Sequence, residues 1–207
     1  MPAPHRFVGL IVALLLVTGC AASDQPYFVD DVELSDPVID SVVARLDRAA
    51  DAVFTAEYSI ITKFGDRRTT AIVTQDRDRR SITIGHIRFL VTSTQSVTCD
   101  LRTGVCSDGL LDAYVSDVQV TNEFWGRAMA NRLRTDADRN LAPATASDYA
   151  VAGEVAVCAA VPVVGGVKSY CALESGVLAG YDGADLTIDL VNYSSVPDTT
   201  LFSRGDL

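Results

Sequence analysis

From Phe54 onward the hydrophobic period of the chain becomes two, and no other feature limits the fold so strongly. Phe54, Ala56, Tyr58 and Ile60 alternate with Thr55, Glu57, Ser59 and Ile61, the pattern of a strand with one face buried and one wet. Ala71 and Val73, then Ile82 and Ile84, mark two further strands. Ile87, Phe89 and Val91 make a fourth, and Val97, Cys99 and Leu101 a fifth. Gly65-Asp66, Asp76-Arg77-Asp78 and Gly85-His86 supply the turns between them. Short strands joined by tight turns predict an antiparallel meander with one apolar face. The charged run Asp76–Arg80 reads as a turn on a sheet edge that discourages pairing with other chains.

Strands are expected again from Val151. Val155, Val157, Ala159 and Val161 face one way, with Glu154 and Cys158 on the other. Val177, Ala179 and Tyr181 form another strand, and Leu186, Ile188 and Leu190 the last. Helices occupy the remainder. Asp36-Pro37 opens one, since Asp caps free amide donors and Pro suits the first helical position. Its apolar stripe is Ile39, Val42, Val43, Leu46 and Ala50. A short amphipathic turn follows Asp108. Thr121-Asn122 then caps a longer helix in which Trp125, Met129 and Leu133 recur every fourth residue, ending before the Ala/Thr/Ser stretch around Pro143. A helix, several strands, helices and more strands predict an α+β fold, a curved antiparallel sheet with helices gathered on one face.

Five cysteines leave one without a local partner. Cys99 and Cys106 flank a turn sequence, and Cys158 and Cys171 flank a segment with Pro162 and Gly165-Gly166, so both pairs are predicted to bridge hairpins. A four-cysteine zinc site is the rival, although neither spacing is that of a zinc knuckle. Cys20 remains, and the N-terminus accounts for it. Arg6 precedes an apolar run from Phe7 to Val17, too short to span a bilayer, and small residues lead to Cys20. Val17-Thr18-Gly19-Cys20 resembles a bacterial lipobox, which implies acylation of Cys20; an ordinary signal peptide is the alternative. The expected organisation is a signal over 1–19, a lipidated N-terminus and acidic tether over 20–35, and one domain over 36–207. The protein would then lie on the extracytoplasmic or periplasmic side of the membrane, held by acyl chains. With 27 acidic against 17 basic residues and a net charge of −10, a nucleic-acid partner is disfavoured.

The sequence carries no G-x-S-x-G elbow, H-E-x-x-H, P-loop or dinucleotide-binding glycine pattern. His86, the one histidine beyond the signal, falls in a turn. We therefore expect no enzyme, no catalytic residue, no metal and no cofactor. What remains is the apolar face. Its last strand, Leu186-Thr187-Ile188-Asp189-Leu190-Val191-Asn192, followed by Pro197-Asp198 and Phe202, is similar to the closing strands of the LolA/LolB-like carriers and the LppX/LprG-type lipoproteins. That resemblance implies an unclosed β-barrel with helices packed on its concave face and acyl chains held inside. The alternation then nominates wall residues: Phe54, Tyr58, Ile60, Val73, Phe89, Val155, Val157, Tyr170 and Ile188 from the sheet, and Trp125, Met129 and Leu133 from the helix. No fixed charge is expected inside before a rim at Lys168. The expected function is binding or carrying a lipid or lipoglycan in an apolar cavity. An interaction module of the same fold for other envelope proteins, or a hydrolase with a hidden site, are the alternatives.

Overall fold

The computed structural model describes residues 36–204. The signal, Cys20 and tether expected from the sequence lie outside them. Eleven strands form one antiparallel, open sheet in the spatial order β6-β5-β4-β3-β2-β1-β11-β10-β9-β8-β7. In chain order these are β1 (Phe54–Thr62), β2 (Arg67–Asp76), β3 (Arg79–Ile84), β4 (Ile87–Val91), β5 (Ser96–Asp100), β6 (Val105–Asp108), β7 (Thr145–Val151), β8 (Glu154–Val163), β9 (Gly166–Leu173), β10 (Leu178–Asp182) and β11 (Leu186–Ser194). Two hairpin-connected meanders, β1–β6 and β7–β11, meet where β1 pairs with β11, and Ile60 lies opposite Ile188. Helix α1 (Pro37–Asp47) precedes the first meander and α2 (Arg127–Ala137) links the two. The helices pack on each other, and both reach β8.

Local chemistry explains the elements. The Asp36 carboxylate accepts from Val38 N at 2.9 Å and Pro37 stands at the first helical position, so α1 starts where the sequence places it. Its stripe ends one residue early. The 3₁₀ turn Arg48–Asp51 advances three residues per turn, which buries Ala49 in place of Ala50. Gln75 closes that turn by donating to the carbonyls of Ala49, Ala50 and Ala52 at 2.8–2.9 Å. Strand β1 alternates buried and half-buried residues along its whole length. Both expected disulfides are formed, Cys99–Cys106 across β5–β6 and Cys158–Cys171 across β8–β9.

Several expectations are corrected. Helix α2 begins at Arg127, not near Thr121. Asn122 is engaged elsewhere, its side-chain and backbone N–H groups bonding the Asp112 carboxylate. Residues 145–151, read as loop, form β7, an edge strand exposed on both faces; it has no buried side and so no alternation to read. Val97 and Cys99 lie on the outer face, because register sets them opposite Leu90 and Arg88. Thr98 takes the inner position instead, opposite Phe89. The charged turn Asp76–Arg79 ends a central hairpin, and the sheet edges are β6 and β7.

The turn after β9 is wedged beneath α1. Glu174 pairs with Arg45 at 2.8 Å and Arg48 at 3.2 Å. Gly176 has φ +89, and a Cβ there would lie 2.5 Å from Arg45 O and 2.7 Å from Ala49 N. Gly176→Ala is therefore expected to cost about 2–4 kcal/mol, combining a backbone clash with left-handed strain. Gly165→Ala, at φ +95 in open space, should cost only about 1 kcal/mol. Denaturant midpoints of the two variants check this; equal losses would mean that the turn does not pack against α1.

Candidate functional site

The inner face of β1–β4 forms an apolar floor. Phe54, Tyr58, Ile60, Val73, Ile82 and Phe89 are fully buried in it. What covers them is not a long helix. The chain from Gly109 to Gly126, with the seven-residue 3₁₀ helix Asp112–Val118, lays Val115, Val118, Val120, Phe124 and Trp125 into the same core. Phe54 meets Trp125 edge-on with ring centroids 5.2 Å apart, and Tyr58 meets Phe124 at 5.2 Å. On the other half of the sheet, α1 brings Ile39, Val42 and Leu46, and α2 brings Met129, Ala130 and Leu133.

Of the wall residues nominated by alternation, Phe54, Tyr58, Ile60, Val73, Phe89, Tyr170, Ile188, Trp125, Met129 and Leu133 all join one core cluster. Val157 packs against it, partly buried. Val155 does not. It is 62% exposed, because β9 ends at Leu173 opposite Ala156 and only β7 flanks Val155.

The cover is fastened at a few points. Thr98 Oγ1 donates to Gly109 O at 2.7 Å and accepts from Leu111 N at 3.0 Å. The Asp112–Asn122 bonds close the segment on itself, and Asp117 pairs with Arg67 on β2. Gly109, at φ +88, makes the bend that begins the segment. Beneath and within the cover, Tyr58 OH, Arg80 Nε, Asn122 Oδ1 and Trp125 Nε1 are buried with no protein partner. Each such group costs about 1–3 kcal/mol. Where cover, α1 and β3 meet, a cleft of about 60 Å³ is lined by Leu46, Ala49, Arg80, Glu123, Trp125 and Arg127. The Arg80 guanidinium lies 5.5 Å from the Trp125 ring centroid and 4.0 Å from the Glu123 carboxylate. Burial lowers its pKa, which Glu123 partly offsets. Sites that enclose small molecules occupy roughly 300–1,000 Å³, so this cleft is too small to hold an acyl chain.

The interior also contains charge that sequence reasoning missed. Asp136 on α2 is buried, accepting from Lys168 Nζ at 2.6 Å and from the Tyr170 hydroxyl. Next to it Arg132 pairs with Asp185 at 2.5 Å and lies 4.7 Å over the Tyr181 ring, whose centroid is 4.9 Å from that of Tyr170 at an interplanar angle of 55°. The expectation of an uncharged interior up to Lys168 is thereby corrected. The signal was available: Asp136 follows Met129 and Leu133 at helical spacing, on the buried stripe. His86 occupies the β3–β4 turn. Among the described residues, no group of three His, Cys, Asp or Glu is placed to hold a metal ion.

No protein-family model matches the chain, and no curated protein matches it. Among solved structures the fold is similar to that of MucB, at 10% identity and a TM-score of 0.54, over 81% of this chain and 62% of that one. MucB in complex with MucA(peri) aligns at 10% identity and a TM-score of 0.47, over 80% and 58% of the two chains. An uncharacterized conserved protein from Thermus thermophilus aligns at 7% identity and 0.44, over 81% and 93%. This chain spans 62% of the length of MucB. The likeness at 0.54 is one of fold.

Three buried phenols give the domain a defined alkaline limit. Burial raises Tyr58 well above the ordinary range, and burial with the bond to Asp136 does the same for Tyr170. Burial brings Tyr181 to about 12. Unfolded tyrosine ionises near pH 10. Below that, both states are protonated and the full stability is present; above it the unfolded chain ionises first, and stability is lost as pH climbs. The denaturant midpoint should hold to about pH 10 and fall steeply between about 10 and 12, with a shallower fall in Tyr181→Phe. An unchanged midpoint through pH 12 would contradict the burial of these hydroxyls.

Proposed function

We propose that the protein is an envelope lipoprotein, anchored through acylated Cys20 on the extracytoplasmic face of the membrane. Its domain, an unclosed half-barrel with helices on the concave face, binds one acyl portion of a lipid or lipoglycan and carries or presents it without chemistry. The site is the interface between the β1–β4 floor and the Gly109–Gly126 cover. One observation carries this reading: the partnerless buried groups Tyr58 OH, Arg80 Nε, Asn122 Oδ1 and Trp125 Nε1 collect at that interface. The interface is therefore costly to keep closed, and the cover is fastened by few bonds. Displacing it uncovers Phe54, Tyr58, Val73 and Phe89. Withdrawing an acyl chain from a bilayer forfeits about 0.8 kcal/mol per methylene, and an apolar floor of this kind can offset that cost. Among the described residues no helix is long and apolar enough to cross a membrane; in this reading the acyl chains on Cys20 supply the attachment.

A second reading rests on a different element. Strand β7 is an exposed edge whose sequence, Thr-Ala-Ser-Asp-Tyr-Ala-Val, has one charge and neither Pro nor Lys. It lacks the usual protections of an edge and suits addition of an extended segment from a partner protein.

Trp125 is the sole tryptophan of the chain, and it sits in the cover. Phospholipids with brominated acyl chains should quench its emission in proportion to binding, and protein purified from its host should carry lipid in native mass spectrometry. Unquenched Trp125 together with lipid-free protein would reject the carrier reading and leave β7 as the binding element.

A further inference from the structure

We infer that the sheet end carrying the β1–β2 and β8–β9 turns is the membrane-facing surface of the domain, and that Phe64 and Val164 enter the lipid there. The inference rests on the anchored reading above and adds the surface that meets the bilayer. Strand register defines this end. Thr62 lies opposite Arg67 and Leu186, Asp182 opposite Thr187 and Ser169, Ser169 opposite Ala160, and Ala160 opposite Thr145. The turns 63–66, 183–185 and 164–165 all project beyond that row.

Two of these turns present bare hydrophobic side chains. Phe64 is 88% exposed and Val164 85%, and Leu141 and Val167 flank Val164 with more than half their surface open. Leu141 N bonds Pro162 O at 2.8 Å, and Val167 lies opposite Pro162, so the three form one apolar tip. From Ala159 to Val167 no side chain is charged or can hydrogen-bond. The two tips are about four strand spacings apart, roughly 19 Å, which makes a two-point contact. Single exposed hydrophobics are ordinary on a protein surface; here two tips share the end of the sheet at which the chain enters. The opposite end also exposes Val155 and Val196, but on well separated strands, and it carries the charged Asp76–Arg79 turn.

The chain's entry point selects the bilayer as partner. Asp36, the first described residue, bonds Ala144 N at 2.7 Å, and Ala144 immediately precedes Thr145 in the defining row. Fifteen residues, Ala21–Ser35, separate it from Cys20. An anchor on Cys20 is therefore attached through the end of the sheet that bears Phe64 and Val164, the end at which the chain enters the domain. Charge does not oppose contact with anionic lipid despite the net −10. Asp117, Asp182 and Asp185 on this rim are paired with Arg67, Lys63 and Arg132, and the exposed Asp66 in the Phe64 turn is matched by the exposed Arg68 two residues on.

The test introduces single tryptophans into the full chain as Phe64→Trp, Val164→Trp and, at the opposite end, Asp78→Trp. Each protein, with its native N-terminus, is placed on vesicles of phosphatidylethanolamine and phosphatidylglycerol, and emission is corrected for Trp125 with the parent. Acyl-brominated lipid should quench the Phe64→Trp and Val164→Trp emission at least threefold more than that of Asp78→Trp, and an aqueous quencher should show the reverse order. Equal access at all three positions overturns the inference. Mass spectrometry of the same samples reports acylation of Cys20 separately, so loss of the anchor and loss of the contact are told apart. If Cys20 carries no lipid, the quenching order on added vesicles still decides the inference.

Discussion

The pairing of β1 with β11 is the interaction on which the rest of this structure depends. The first and last strands of the chain run antiparallel from Thr55–Ser194 to Thr62–Leu186. Each meander closes on itself through tight turns, but only this seam joins the two into one sheet. It also brings Tyr58 and Ile60 beside Ile188 and Leu190, so the floor under the cover and the floor under the helices form one surface. A contact of such sequence separation demands closure of nearly the whole chain before it is rewarded. The two disulfides sit far from the seam, one in each meander. They stiffen the parts and leave the joint to hydrogen bonds and packing.

On that surface the two halves are covered differently. Beneath α1 and α2 the contact is apolar and reinforced by paired charges, Asp136 with Lys168 and Tyr170, and Arg132 with Asp185. Leaving the buried Asp136 carboxylate without its partners costs several kcal/mol, so this half resists opening. Over β1–β4 the cover is a largely irregular segment with one 3₁₀ helix, few fastenings and unsatisfied polar groups beneath it. On the proposed reading, the helical half holds the domain together and the covered half is the side on which a ligand is admitted.

Much of this was legible in the sequence because buried faces write a period into it. The alternation in β1, the capping pair Asp36-Pro37 and the cystine hairpins led directly to the observed elements. Strand β7 left no such mark, being wet on both faces. The start of α2 was misplaced because Asn122, a good cap by composition, spends its hydrogen bonds on Asp112, a partner that only tertiary structure brings near. Val97 and Cys99 were given to the wrong face because apolar was equated with inner; the four residues Thr92–Gln95 between β4 and β5 set the register. Asp136 escaped notice because its partners Lys168 and Tyr170 arrive from a strand more than thirty residues away. Alternation brought most of the nominated residues into one core, but what closes over them, and by how few bonds, was not readable from spacing.

The central claim is that the Gly109–Gly126 cover moves to admit an acyl chain while the rest of the domain stays closed. Amide hydrogen exchange, with and without bound phospholipid, tests it most directly. Amides of residues 110–126 should exchange much faster than those of β1, β2 and α2 in the empty protein, and should become protected on lipid addition. Equal protection of cover and sheet, unchanged by lipid, would contradict the account.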